Sequence, residues 1–246
     1  MRAGLERLAI GIFVFWVAVG TGYAAEDKES GGQGDGIIPL YEGKPYLHVL
    51  HEGRSVKVQR VQDSEYQIRG YFAKTSRRCP PFCLQPIQVD ARVNTIGEIE
   101  LFDFMENQLR DGSGLLIDAR TPSWYKKGTI PGSINIPFGS LRKDIGDSET
   151  VRILKLLGAN QRKEVGTFTR QLEKWGVVDG QRKTDQWDFS ESKELVLWCN
   201  GPACGQSPRA IQGLLNLGYP ADRIRYYRGG MQLWQLFGLN TVLPEE

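Results

Sequence analysis

The rhythm of apolar and polar positions along this chain changes near Ile96. Before that point, short β-like runs recur at Tyr46 to Leu50, Ser55 to Val61 and Tyr66 to Ile68, separated by turn signals at Glu52-Gly53 and Asp63-Ser64. This pattern predicts a small, hairpin-based β-rich region. Beyond it, helical spacing alternates with short apolar runs. Ile99, Phe102, Phe104, Met105 and Leu109 fall on one helical face, in a segment that starts near Gly97 and ends before Gly112. Leu115 to Ile117 reads as a buried strand that ends in charge at Asp118-Ala119-Arg120, and Ile130 to Pro137 as a turn and short strand. Amphipathic helices follow near Glu149 to Leu157 and Phe168 to Trp175, with stops expected at Asn160 and Gly176. Leu195 to Trp198 is a fully apolar run suited to a buried strand. After it come a helix over Arg209 to Leu217 closed by Gly218, a strand over Arg223 to Tyr227, a turn at Arg228-Gly229-Gly230, and a last short helix over Met231 to Phe237. Strands alternating with helices predict an α/β fold, a mainly parallel sheet flanked by helices on both faces, preceded by the small β-rich region.

At the point where the run Leu195 to Trp198 stops, the sequence places Cys199, followed by the small or turn-forming residues Asn200, Gly201, Pro202, Ala203, Cys204, Gly205 and Gln206. Ser207-Pro208 then matches a helix start, with serine as N-cap and proline in the first helical position. The order is strand, cysteine, tight loop, helix. Such a loop aims backbone N–H groups and the positive end of a helix dipole at whatever sits in its bowl. A cysteine there ionises more readily than a free thiol, which makes Cys199 the candidate nucleophile. Gly201 and Gly205 let the backbone close around an anion. The competing reading is a structural cysteine buried at a strand end. In an open parallel sheet, ligands bind at the carboxyl ends of the strands, where Cys199 lies.

Charge adds little: Lys+Arg 31 against Asp+Glu 29 gives a net charge of +2. So balanced a chain shows no general attraction to nucleic acid or to membrane surfaces. The N-terminus changes the picture more. Arg2 and Arg7 precede the apolar run Leu8 to Gly20, and Gly22-Tyr23-Ala24 offers small residues at the positions a signal peptidase reads. We expect residues 1–24 to be a cleaved signal peptide, with an uncleaved anchor as the alternative, and residues 25–36, rich in glycine, to be a flexible linker. A protein so addressed works outside the cytoplasm, in the periplasm or another extracytoplasmic space, with no stable membrane insertion after cleavage. Disulfides persist in such compartments. Residues 37–92 would then be the β-rich region and 93–246 the α/β domain. The former carries Cys79-Pro80-Pro81-Phe82-Cys83, read either as a local disulfide or redox pair, or as two independent thiols. Zinc is disfavoured because no second Cys or His pair accompanies it, and haem attachment by the spacing. His48 and His51, the only histidines, have no acidic or cysteine cluster beside them in sequence, so no metal and no cofactor is expected.

Three landmarks carry a resemblance. Leu116-Ile117-Asp118-Ala119-Arg120 followed by Gly132-Ser133-Ile134-Asn135-Ile136-Pro137, then Cys199 at a strand end, then Tyr227-Arg228-Gly229-Gly230 with Trp234, occur in the order found in rhodanese-like domains. The region from about Val93 to Val242 resembles that family. The resemblance implies a sulfurtransferase, in which Cys199 would take sulfane sulfur from a thiosulfate-like donor, hold it as a persulfide, and pass it to a thiol or cyanide. It implies a small sulfur-containing anion as donor, a thiol acceptor or redox partner protein, and a loop from Asn200 to Ser207, with Arg209 beside it, as the anion site.

Two features depart from the family's pattern. The loop is longer and holds no arginine, and Gly205 stands where a Cys-x5-Arg phosphatase would have its clamp, which disfavours phosphate-ester hydrolysis. Cys204 shares the loop with Cys199, either as a resolving thiol, as half of a dithiol relay, or as a small residue that packs. Two further functions stay open: a thiol-disulfide or persulfide redox protein using Cys199 and Cys204, and a non-catalytic binding module. Asp118 with Arg120 is expected to be a fold-stabilising charged pair, Gly229-Gly230 a tight turn beside the site, and Trp234 core.

Overall fold

The computed structural model describes residues 36–163, 165–177, 180 and 182–245. The expected signal peptide and nearly all of the expected linker lie outside the described residues. Residues from Ile37 onward form one compact unit.

The chain opens with the hairpin β1 (Leu47–His51) and β2 (Arg54–Val58). Glu52 and Gly53 both adopt positive φ, 50° and 79°, the two-residue turn whose twist suits a hairpin. Tyr66 to Ile68, expected as a strand, forms none. β1 and β2 form a two-stranded sheet that residues 66–68 do not join, and Tyr66 is left 51% exposed. A single 3-10 turn over Gly70–Ala73 follows instead.

The α/β part contains β3 (Asn94–Ile96), α1 (Glu98–Phe104), β4 (Gly114–Asp118), α2 (Pro122–Tyr125), β5 (Ser133–Asn135), α3 (Ser148–Leu156), β6 (Asn160–Gln161), α4 (Thr167–Lys174), β7 (Trp187–Asp188), β8 (Glu194–Trp198), α5 (Gln206–Asn216), β9 (Ile224–Tyr227) and α6 (Gly230–Leu236). Five strands make one parallel sheet in the order β3-β9-β8-β4-β5. β8 is central, which explains why it is apolar on both faces. Leu195 and Leu197 enter one core with Ile117, Ile211, Leu214 and Tyr226, beneath α3 and α5. Val196 and Trp198 enter the other with Phe102, Phe104, Tyr227 and Trp234. Leu47, Val49 and Val58 of the hairpin join this second core, so the β-rich region covers a sheet face beside α1 and α6.

Three local expectations need correction. Ile99 is 52% exposed, while Leu101 is buried beside Phe102, Phe104 and Met105. At about 100° per residue the buried face is centred on Leu101, Phe104 and Met105, and Ile99 falls on the other side of the same regular helix, which winds on from α1 as a π-turn over Met105–Leu109. Asn160 does not stop α3. Gly158, at φ +82°, turns the chain, and Asn160 pairs with Asp188 in a two-stranded ribbon. Finally, α5 begins at Gln206 with Gly205 as its N-cap, so Ser207 lies inside the first turn and caps nothing. Pro208 still fits, because the amides of the first helical turn have no intrahelical partner.

Candidate active site

β8 delivers Cys199 to the carboxyl end of the sheet's middle strand. The loop after it is held from below by α6, whose first turn directs the Met231 N–H to the Cys199 carbonyl at 2.9 Å and the Gln232 N–H to the Asn200 carbonyl at 3.1 Å. This approach is close enough that a Cβ on Gly230 would lie 2.1 Å from the Cys199 oxygen. Gly230 also has φ +54°, which explains the second glycine of the Gly229-Gly230 turn. Within the loop, Gly201 takes φ +140° and the Cys204 N–H closes onto the Gly201 carbonyl at 2.9 Å.

Beside the loop, Asp118 and Arg120 form a buried ion pair, Nη2 to Oδ2 2.5 Å, with 0% and 1% exposure. Thr129 Oγ1 donates to the same carboxylate at 3.0 Å, and Arg120 Nη2 also donates to the Gly128 carbonyl at 2.7 Å. Arg120 Nη1 extends to the Asn200 side-chain oxygen at 3.5 Å, so the pair steadies the loop as well as the strand end. Trp234 is fully buried, its Nε1 donating to the Asn240 carbonyl at 2.9 Å.

The Cys199 sulfur is surrounded by donors. Ser207 Oγ donates to it at 3.0 Å, and the Cys199 thiol can itself donate to the Cys204 carbonyl at 3.2 Å. Burial alone would push the Cys199 thiol up. The Cys204 thiol, the Ser207 hydroxyl and the backbone N–H groups of Ser207 and Gly201 outweigh it, and together they bring Cys199 down to about 7. Cys204 moves the opposite way, held far above the ordinary thiol range first by the Cys199 sulfur beside it and then by burial. Near neutral pH Cys199 is therefore about half thiolate, while Cys204 stays a thiol. Both cysteines are free, Cys199 at 1% and Cys204 at 9% exposure.

Two clefts meet over this loop. Lys74, Arg77, Phe82, Gly201 and Gln232 line one; Tyr71, Phe82, Trp124, Phe138, Gln206 and Arg209 line the other. Asn200, Ala203 and Cys204 belong to both, whereas Cys199 lines neither and lies beneath them. Of the other loop residues, the Pro202 carbonyl accepts from the Gln85 N–H at 2.8 Å, and the Gln206 side-chain oxygen accepts from the Cys204 thiol at 3.6 Å. Arg209 is exposed at the rim of the second cleft, its guanidinium 5.8 Å from the Phe138 ring centroid.

The wall opposite the loop is residues 70–85. Cys79 and Cys83 are joined in a disulfide there, with Cα atoms 4.6 Å apart. The Tyr71 ring packs against Trp124 with centroids 4.4 Å apart, and the Gln85 carbonyl accepts from Arg228 Nη2 at 2.8 Å. Sequence reasoning left this segment in a separate region and missed Arg77 and Lys74. The available signal was local composition: 70–85 holds Lys74, Arg77 and Arg78 and no acidic residue. The histidines stay apart from the site, with His51 buried and its Nδ1 accepting from the Gly132 N–H at 3.3 Å. Among the described residues no group of three or more His, Cys, Asp or Glu could hold a metal ion, and no helix is long and apolar enough to cross a membrane.

The family model described as the rhodanese-like domain matches residues 102–236. No curated protein matches significantly. Among solved structures, the chain is similar to the human single-domain sulfurtransferase, with 22% identity, 58% of this chain and 96% of that one covered, and a TM-score of 0.36. It is also similar to a thiosulfate sulfurtransferase from Pseudomonas aeruginosa, at 16% identity over 65% of this chain and 22% of that one, TM-score 0.38. A third is a protein of unknown function from Rhodopseudomonas palustris described as a possible tyrosine phosphatase, at 16% identity over 63% of this chain and 88% of that one, TM-score 0.40.

Proposed function

Since the chain belongs to the rhodanese-like domain family, we propose that it is a sulfurtransferase that moves sulfane sulfur from a thiosulfate-like donor to a thiol or cyanide through a persulfide on Cys199. The observation that carries this reading is the set of donors around Cys199, which favours its thiolate near neutral pH. The thiolate attacks the outer sulfur of the donor. A Cys199 S–S bond forms, the donor's S–S bond breaks, and sulfite leaves with the electron pair. The Ser207 hydroxyl and the Gly201 and Ser207 amides that favour the thiolate also suit the persulfide anion that replaces it. An acceptor thiolate then attacks the outer sulfur, and Cys199 leaves as thiolate, ready for another cycle. We place this chemistry outside the cytoplasm, a reading supported by the apolar N-terminal run and by the Cys79–Cys83 disulfide. The test is persulfide formation and sulfite release from thiosulfate by wild type and Cys199→Ser. Activity lost only in the variant supports the reading, and equal inactivity with several donors overturns it.

A second reading is favoured by one observation: Cys204 lines both clefts and shares the loop with Cys199. On this reading the Cys204 thiol gives its proton to the outer sulfur of the persulfide as its own sulfur attacks Cys199 Sγ, which closes a Cys199–Cys204 disulfide, breaks the persulfide S–S bond and expels the outer sulfur as hydrosulfide. An external dithiol then reduces the disulfide. Cys204→Ser is expected to keep persulfide formation and to abolish hydrosulfide release in single turnover. Unchanged release removes Cys204 from the reaction and leaves it a packing residue.

A further inference from the structure

The loop after Cys199 contains no arginine, and the one at its helical end, Arg209, is exposed at the rim. A small dianionic donor held against a thiolate needs a cation close by, because two like charges otherwise repel. The cations come from another part of the chain. Lys74 and Arg77 face Asn200, Gly201, Cys204 and Gln232 across the first cleft. Its volume, about 260 Å³, falls below the ~300 Å³ lower bound usual for drug-sized ligands and suits a small anion.

Arg77 is held in place. Its guanidinium stacks 3.8 Å from the Tyr71 ring centroid, Nη2 donates to the Tyr71 carbonyl at 2.5 Å and Nε to the Lys74 carbonyl at 3.4 Å. These two hydrogen bonds use the Nε–Nη2 edge of the fork, and the guanidinium also interacts with the Tyr71 phenol. Among the described residues no carboxylate pairs with Lys74, Arg77 or Arg78. A partly buried, stacked arginine that lines the cleft and has no carboxylate counter-ion among the described residues is arranged for an external anion.

We propose that Arg77, assisted by Lys74, is the oxyanion-binding residue of this site and selects donors that carry a sulfonate-type group, thiosulfate being the simplest. The inference rests on the sulfurtransferase reading for its substrate and adds to it the residue that recognises the group. Arg77 grips the sulfonate oxygens while the outer sulfur points toward Cys199, and it holds the same oxygens in the departing sulfite. Binding of this kind acts on ground state and transition state alike, so it governs KM more than kcat.

The experiment compares wild type, Arg77→Ala, Arg77→Lys and Lys74→Ala with thiosulfate and with a small alkyl persulfide that lacks a sulfonate. Arg77→Ala is expected to raise KM for thiosulfate at least tenfold more than it lowers kcat, with KM for the alkyl persulfide changed less than threefold. Arg77→Lys should recover part of the loss and Lys74→Ala should show a smaller one. Equal loss with both donors would mean a structural role and overturns the assignment, as does an unchanged thiosulfate KM. A second measurement needs no turnover: sulfite is expected to slow iodoacetamide alkylation of Cys199 in wild type and not in Arg77→Ala. If no variant or wild type transfers sulfur, the sulfurtransferase reading fails while Arg77-dependent protection by sulfite still upholds the anion site. Absence of that protection in wild type sinks the anion site, whatever the turnover assays show.

Discussion

Ser207 shows how one side chain changes the chemistry of another. As an N-cap its hydroxyl would accept from a helix amide; two residues' difference in the reading of the helix start turns it instead toward Cys199, to which it donates at 3.0 Å. A hydrogen bond to a charged group contributes about 1.5–3 kcal/mol, and one pKa unit corresponds to about 1.4 kcal/mol. Ser207→Ala removes a donor that favours the thiolate, so the Cys199 midpoint, about 7 in the wild type, moves upward by about one to two units. The sign has a clear readout. Iodoacetamide alkylation should rise with pH through 7 in wild type and only at higher pH in the variant, and at pH 7 the variant should react at least several-fold more slowly. An unchanged midpoint would remove Ser207 from the account. Cys199 itself was legible from the sequence because a buried apolar run that stops at a cysteine leaves that side chain at the strand's carboxyl end. Its partner was not, because the direction of a hydroxyl in a first helical turn depends on which residue begins the helix.

Elements hold the loop in shape, and α6 does so most directly, through the Met231 and Gln232 amides and through the missing side chain at Gly230. The Gly229-Gly230 turn beside the site could be read from sequence because tandem glycines mark positions where a backbone must turn or come close. What could not be read is which backbone comes close. Gly230→Ala would set a methyl group 2.1 Å from the Cys199 carbonyl oxygen and 2.8 Å from the Gly201 nitrogen, at φ +54°. A left-handed alanine alone costs about 1–2 kcal/mol, and the clash adds to it. Thermal unfolding should show destabilisation of more than about 2 kcal/mol, and Cys199 alkylation at pH 7 should slow because Gly201 is pushed off the sulfur. Wild-type stability together with wild-type reactivity would contradict the close packing described here. The same limit applies to α1, where the apolar spacing identified a helix and placed Phe102, Phe104 and Met105 in the core but put Ile99 there too. Which of two adjacent apolar faces turns inward is decided by the sheet it packs on, and here that is the face of Leu101, Phe104 and Met105.

For the whole molecule, a mainly parallel sheet and the membership in the rhodanese-like family were legible because central parallel strands are apolar on both faces and the landmarks fall at their carboxyl ends, whereas the three-residue edge strand β3 was too short to show a pattern. The wall of the site was not. Residues 70–85 are more than a hundred positions from Cys199 in sequence and reach it only because the hairpin residues Leu47, Val49 and Val58 join the core under α1 and α6, and because Gln85 bonds to both Pro202 and Arg228. The β-rich region therefore belongs to the architecture of the candidate site, with Arg77 its proposed contribution to anion recognition and the aromatic packing of Tyr71 on Trp124 its anchor. The proposed sulfur transfer depends on Cys199 carrying sulfur. The most direct test is the intact mass of the reduced protein after brief exposure to thiosulfate, with peptide mapping to locate the change. The account predicts a species one sulfur atom heavier, mapped to Cys199 and absent from Cys199→Ser; an unmodified mass with thiosulfate and with every other sulfane donor tried, or sulfur carried on Cys204 with Cys199 untouched, would contradict it.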